Sequence, residues 1–371
     1  SPRRAHISRR MSGLRQVSRV ILRTPGPRSH LQHETVGLDF SQPLTAGNVL
    51  VRVSACAVSY RDIIDRTGGF PFMNQPTVLG HEVSGVVEKV DEAAAAEEGA
   101  LRVGDRVVSL HWAQYGGRAW PSPFVDREAM KTFIGLSVDG GYSEYMTTHA
   151  SAFVKVPNAN LWTGVEAAPV MSTFGTVWQG AVVRGDLQAG ETVLVSGASG
   201  GVGSAAVAMA KRLGCFTIGT TGSVARNEDF IRGQGADCVL DAAPGFSKRV
   251  AGLVAGGGVD MVIENVGAPT LGDSLRSLKP GGRLVLIGNV TNESAPLPLG
   301  LCIVKSLSII GTDSIESGEL GRLFGWLGRE QLKPVIDRVL PLSKAADAHA
   351  ALENRSVNGR VVLDINKDIW S

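Results

Sequence analysis

The sequence predicts an α/β protein of two parts, a mostly-β domain and a doubly wound parallel sheet. Up to about Pro157, short alternating runs rich in β-branched residues are broken by turn residues, as in antiparallel strands. After Asn160, short apolar strands alternate with helical segments, as in parallel strands joined by helical crossovers. A third observation is the glycine-rich run Gly197–Gly203, set between one such strand and one such helix.

The elements follow in order. Strand patterns begin at about Ser18. VLVRVSACAVS (Val49–Ser59), TVLGHEVSGVVEKV (Thr77–Val90) and DRVVSL (Asp105–Leu110) continue them. DEAAAAEEGALRVG between the last two reads as a polar loop or short helix, and His111–Asp139 as a lobe or long loop without period. GGYSEYMTTHASAFVKVP (Gly140–Pro157) returns to strands, and AAPVMSTFGTVWQGAV reads as a helix. Then TVLVSG, CFTIGTT, DCVLD, VDMVIENVG, RLVLIGN and LSIIGT read as strands. VGSAAVAMAKRLG, ARNEDFIRGQG, FSKRVAGLVAGG and PTLGDSLRSLKPGG read as the helices between them. After Ser314 the tail gives helix, strand, helix and a last strand, GRVVLDI. There is no internal repeat.

Composition narrows the function classes. The 371 residues leave room for two domains of ~100–200 residues each. A net charge of +2 argues against nucleic acid as the main partner. No apolar run reaches the ~18–20 residues of a membrane span. Cys56, Cys215, Cys238 and Cys302 are far apart and form no C-x-x-C, so neither a disulfide framework nor a zinc knuckle is expected, and a reducing compartment fits. The first segment, SPRRAHISRRMSGLRQVSRVILR, is rich in arginine and serine, and no acidic residue precedes Glu34. It is expected to be transit-peptide-like, or else a solvated basic tail. The expected location is mitochondrial, otherwise cytoplasmic.

The glycine-rich turn carries the first functional expectation. Gly197, Ser199, Gly200, Gly201, Val202 and Gly203 follow a strand and open an apolar helix. Glycines let the backbone approach a pyrophosphate, and the helix N-terminus offers free N–H groups to it. A site for the ribose of NAD usually has an acid at the end of the next strand. Here that end reads Thr220-Thr221-Gly222-Ser223, followed by Arg226. Thr221, Ser223 and Arg226 suit a 2′-phosphate, so the expected cofactor is NADP(H), although Arg226 can equally be a solvated helix residue.

The segments VRVSACAVSYRD, GHE, AAPVMSTFGTVW, GASGGVG, VIENVG, LKPGGRLVLIGNV and GRVVL, in that order, resemble the medium-chain dehydrogenase/reductase superfamily. The resemblance runs from about Gln16 to the end. It implies a GroES-like mostly-β substrate domain (16–172 and 314–371), a Rossmann-type nucleotide domain (173–313) and a basic N-terminal arm (1–15). In zinc-dependent members the ligands fall at the positions of Ser59, His81 and Ser172, so both thiolates are hydroxyls here. The region that carries structural-zinc cysteines in many relatives, His111–Asp139, contains none. No metal is expected, and His81 and Glu82 are expected to be a buried hydrogen-bonded pair.

The missing ligands point to the zinc-independent quinone oxidoreductase and acryloyl-CoA (enoyl-CoA) reductase-like branch. It implies a small-molecule substrate, an enoyl thioester, enone or quinone, reduced by hydride transfer. Thr176, Gly267, Gly288 and Asn289 match segments that line the nicotinamide in the family. A tyrosine often serves there as proton donor in a short Gly-rich segment; here Thr67-Gly68-Gly69-Phe70-Pro71 puts Phe70 at that place. Tyr60 and Asp62 are the remaining candidate catalytic residues, although Tyr60 can be an interface or core aromatic, and Arg61 and Asp62 can simply lock the loop. Relatives often dimerise near segments such as Leu307–Thr312. An alternative expectation is an accessory subunit of a mitochondrial assembly, held through the basic arm, that keeps the fold with little activity.

Overall fold

β1 (Leu14–Leu22) and β2 (Leu31–Asp39) form an antiparallel ribbon. The computed structural model describes residues 13–70, 73–96, 99–114 and 130–370. The expected basic arm therefore lies mostly outside the described residues, as does the middle of the expected lobe. β1 starts inside the segment expected as the arm. Arg15 belongs to the strand and stacks over Phe40 at 4.3 Å.

β3 (Asn48–Val58) is the centre of the second sheet. Its apolar run is buried almost throughout, as a strand covered on both faces requires. β4 (Thr77–Val78) pairs with β1, while β5 (Glu82–Val90), β6 (Arg106–Ser109), β7 (Tyr145–His149) and β8 (Phe153–Lys155) extend the sheet around β3.

β9 (Thr192–Val195), β10 (Phe216–Thr221), β11 (Cys238–Asp241), β12 (Val259–Glu264), β13 (Leu278–Leu286) and β14 (Ser308–Gly311) form a parallel sheet in the order β11-β10-β9-β12-β13-β14. The order reverses beside β9, and a doubly wound sheet opens its ligand crevice at the carboxyl ends of the strands there. The chain then returns to the β domain with β15 (Ile336–Pro341) and β16 (Arg360–Asp364), where β16 pairs with β3.

Val193, Val195, Ile263 and Val285 of the parallel sheet share one core with Ala205–Met209, Phe174, Leu320, Leu323 and Phe324. A second core, around Val49, Val51, Val53 and Val87, fills the β domain. Each such valine, leucine, isoleucine, methionine or phenylalanine contributes ~1.5–3 kcal/mol on burial. Two polar seams join the parts. Gly359 N–H donates to Ser199 O at 2.9 Å, and Gln114 Nε2 donates to Ile315 O at 2.8 Å.

Two of the expected helices depart from the sequence reading. The helix expected over Ala167–Val182 is wound wide over Met171–Gly175 and Trp178–Arg184. Pro169 has no N–H to give an ordinary helical turn, and Gly175 N–H reaches back to Val170 O at 2.9 Å. The helix expected through Gly282 ends at Ser277, and the LKPGG segment opens β13 instead. Among the described residues, no helix is long and apolar enough to cross a membrane.

Candidate active site

β9 delivers the glycine-rich turn to the crevice. Gly197 has φ +60°, in the left-handed region that favours glycine. A methyl on Gly203 would fall inside contact distance of the Gly197 carbonyl, so the helix Gly201–Arg212 packs directly on the turn. Gly200 is open, its nearest neighbour for an added carbon being 3.5 Å away. Arg360 lies against Gly201, where a methyl would collide with its side chain. Its Nη2 pairs with Glu82 Oε2, both groups being buried, and its Nε has no partner among the described residues. A helix N-terminus beside an arginine and an open glycine fits the pyrophosphate of a dinucleotide. The sequence reading quoted the GRVVL segment but gave Arg360 no role, because its partner Glu82 is brought close only by the fold.

The end of β10 gathers the predicted residues around another one the sequence reading missed, Asn227. Its Nδ2 donates to Thr221 Oγ1 at 2.8 Å and lies 3.4 Å from Ser199 Oγ. Arg226 Nε donates to Asn227 Oδ1 at 3.2 Å, and Ser223 N–H to Thr221 Oγ1 at 3.4 Å. Ser199, Thr221, Ser223 and Arg226 thus form one cluster across the crevice.

At the end of β12, buried Glu264 accepts five hydrogen bonds, from Ser196 Oγ, Val266 N, Gly267 N, Thr270 Oγ1 and Ser274 Oγ. They fix the loop that holds Gly267 at φ +96° against Asn289. Gly288 is pressed on the Asn265 carbonyl, so Gly267, Gly288 and Asn289 meet at one place. Thr176 stands on the wide-wound helix, its hydroxyl donating to Ser172 O at 3.2 Å.

The GHE segment sits where the β domain faces this crevice. Asp62 Oδ2 accepts from Ser59 N–H at 2.7 Å and Ser59 Oγ at 3.1 Å, which caps the helix Tyr60–Arg66. Its Oδ1 lies 3.4 Å from His81 Nδ1. Burial works to raise the Asp62 pKa, but His81, His349 and the Ser59 amide outweigh it and bring it to about 2. Burial, and then Arg61, push the His81 pKa down, so the imidazole is held toward its neutral form. The His111 ring meets the His81 ring edge-on at 4.9 Å, and its pKa is pushed well down by burial and by His81.

Glu82 is a correction to the expected His–Glu pair. Its strong partner is Arg360, and its Oε1 is 3.6 Å from His81 Nε2 without forming a hydrogen bond. Glu82 on β5 and Arg360 on β16 stand on the two strands that flank β3, which lets the carboxylate reach the guanidinium. Tyr60 Oη donates to Leu352 O at 3.0 Å, so Tyr60 and Asp62 are neighbours in the chain with different commitments. Phe70 packs on the β-domain core.

A catalytic zinc does not fit these residues. Ser59 Oγ is spent on Asp62, a serine hydroxyl stays protonated at neutral pH, and among the described residues no group of three or more His, Cys, Asp or Glu side chains could hold a metal.

Residues 45–158 match the family model described as alcohol dehydrogenase GroES-like domain, and residues 201–328 the one described as zinc-binding dehydrogenase. The acryloyl-coenzyme A reductase of Sulfurisphaera tokodaii is 34% identical over 85% of this chain and 91% of its own. The chain belongs to the medium-chain dehydrogenase/reductase superfamily. The quinone oxidoreductase of Homo sapiens is 27% identical over 85% of this chain and 88% of its own. The crystal structure of AibC superposes with a TM-score of 0.82 at 34% identity, covering 94% of this chain and 96% of that one. The fold is thus the superfamily's GroES-like domain plus a Rossmann-like parallel sheet, and the chain is an oxidoreductase of the nicotinamide-using kind.

Proposed function

We propose that the chain is an NADPH-dependent, zinc-independent reductase of a C=C bond conjugated to a carbonyl, in an enoyl thioester of the acryloyl-CoA kind or an enone, or of a quinone. One observation carries the cofactor half of this reading: the Asn227-centred cluster of Ser199, Thr221, Ser223 and Arg226, with no acid at the end of β10. That cluster offers hydroxyls and a guanidinium to a 2′-phosphate, whereas a free ribose is usually held by a carboxylate. The kinship with acryloyl-coenzyme A reductases supports the acceptor half. We keep 173–313 as the nucleotide domain and the flanking segments as the substrate domain.

The bound nicotinamide would supply the hydride. Gly200, Gly201, Val202 and Gly203 would hold the pyrophosphate with Arg360, and Gly197 would give the turn its shape. Thr176, Gly267, Gly288 and Asn289 would line the nicotinamide. Asp62 is a positioning residue: it caps its helix and faces the Nδ1 edge of His81. Tyr60 holds its helix to Leu352 through its hydroxyl, and the proton for the substrate comes from water. We also infer a homodimer, and mitochondrial targeting from the arginine-rich segment. Import of a fusion bearing residues 1–23 into isolated mitochondria tests the latter, and a fusion left outside would refute it.

The reading is tested by offering NADPH with short enoyl-CoA thioesters, a cyclic enone and a quinone side by side. Turnover of one class is expected. NADPH that binds without turning over any of them would leave the accessory-subunit alternative. Titration with both cofactors should show NADPH binding more tightly. Arg226→Ala should weaken NADPH about 10-fold, as loss of one charge-assisted contact does, and leave NADH nearly unchanged. Tighter binding of NADH would refute the cofactor assignment.

A further inference from the structure

Arg61 lies on the helix Tyr60–Arg66, in the chain between Tyr60 and Asp62. Its Nη2 donates to Ile134 O at 3.1 Å, and its Cζ sits 4.4 Å from the centre of the Phe133 ring. Its Nε is 3.3 Å from Asp65 Oδ2 but is not aligned for a hydrogen bond. Its Nη1 is buried and has no acceptor among the described residues. A buried donor left without a partner is costly, and a charged one more so. A pre-set donor of this kind is also what a developing negative charge requires.

The carboxyl beside Arg61 balances its charge only in part. Burial pushes the pKa of Asp65 up to about 7, against the pull of Arg61, so near neutral pH this counter-ion is often protonated. Arg61 lies close enough to His81 and His111 to help depress both pKa values, after burial in His81 and after burial and His81 in His111. Neutral imidazoles cannot supply the charge that a metal supplies in zinc-dependent relatives. Arg61 can, through the cationic fork of its guanidinium.

We propose that Arg61 is the group that stabilises the oxyanion, with its unpartnered Nη1–H donating to the carbonyl oxygen of the acceptor. The proposal rests on the reductase reading and deepens it, since it requires an acceptor whose reducible bond is conjugated to a carbonyl. Hydride brings two electrons to the β-carbon. The C=C π pair moves into the bond between the α-carbon and the carbonyl carbon, and the carbonyl π pair moves onto oxygen. The enolate oxygen then faces the guanidinium. A proton from water forms the new Cα–H bond, the carbonyl re-forms, and hydroxide is released to solvent. The acceptor is reduced as the nicotinamide is oxidised. An isolated alkene has no oxygen to carry the charge and is not reduced.

The test compares full-length wild type, Arg61→Ala and Arg61→Lys, with crotonyl-CoA and a cyclic enone as acceptors. Arg61→Ala should lower kcat about 100-fold, the usual effect of removing one oxyanion donor, with the KM for NADPH nearly unchanged. Millimolar guanidinium should restore part of that kcat, a response that a merely structural role would not give. Arg61→Lys keeps the charge without the fork and should fall between the two. If Arg61→Ala keeps kcat within about threefold of wild type, the proposal is wrong while the reductase reading stands. If Arg61→Ala does not fold, Arg61→Lys decides, and an unchanged kcat overturns the proposal. Wild type inactive on every acceptor overturns the reductase reading and the proposal together.

Discussion

Gly203 has no room for a methyl, because the obstacle is the Gly197 carbonyl and a carbonyl in a tight turn cannot swing aside. Gly203→Ala should therefore push the helix Gly201–Arg212 off the turn. The expected result is a dinucleotide dissociation constant raised more than about 10-fold, with ~1–3 kcal/mol lost in stability. Titration of cofactor fluorescence and a denaturant melt read these two effects. Glu264→Gln should act on the same crevice from the other side. An amide keeps one oxygen for the four donors that meet Oε1 but drops the charge that strengthens those bonds and turns its own N–H donors toward Ser274 Oγ, so cofactor binding should weaken with a further ~1–3 kcal/mol lost. Unchanged binding and melting in that variant would show that water replaces the lost acceptor. At this scale the turn was legible from sequence, because its glycines crowd into Gly197–Gly203 and lie between a strand and a helix. Asn227 and Arg360 were not. Their meaning comes from partners brought close only by the fold, and Arg360 meets Glu82 across 278 positions of chain.

Two short helices make the clearest case at the scale of elements. Tyr60–Arg66 docks on Ala345–Glu353 through Tyr60 Oη to Leu352 O, Arg66 Nε to His349 Nδ1 at 3.3 Å, and an Arg66–Glu353 ion pair. Arginine can only donate, so His349 Nδ1 accepts, and a neutral His349 carries its proton on Nε2, 3.0 Å from Tyr142 Oη. Burial brings the His349 pKa down from 6.5 to about 4. The unfolded chain then takes up a proton between these two values while the folded chain does not. Stability from this group is full above the unfolded value and is lost as pH falls toward the folded one. By about pH 5 the loss is ~2 kcal/mol. His349→Gln should lose less stability than wild type between about pH 7 and about pH 5 in denaturant melts. An identical loss in both proteins would rule His349 out as the group responsible. Sequence pattern located the second of these helices, in the tail after Ser314, but named none over Tyr60–Arg66, a segment only seven residues long. It gave no warning of the wide winding after Pro169, because hydrophobic spacing reports a face and not the number of residues per turn.

The whole molecule ends its parallel sheet on β14, which hydrogen-bonds β13 on one side only among the described residues. Beside that edge the helix Leu299–Val304 turns apolar side chains outward: Leu299 is 65% exposed, Ile303 75% and Val304 83%. Ile309 on β14 itself is also exposed. An unpaired edge flanked by apolar surface invites a partner, and a two-fold axis lets the same patch of a second copy fill it, strand against strand. This is the physical content of the homodimer inferred above. Val304→Asp combined with Ile309→Lys should convert a dimer to a monomer in sedimentation velocity at micromolar concentration. The glycine-rich turn follows β9, and β12 and β13 separate β9 from β14, so cofactor affinity should survive the change. A wild-type chain that sediments as a monomer would refute the dimer. Cofactor binding lost along with the dimer would mean instead that the second copy completes the crevice. The two halves of the prediction fail separately, because the sheet sets its edge apart from its switch point by whole strands.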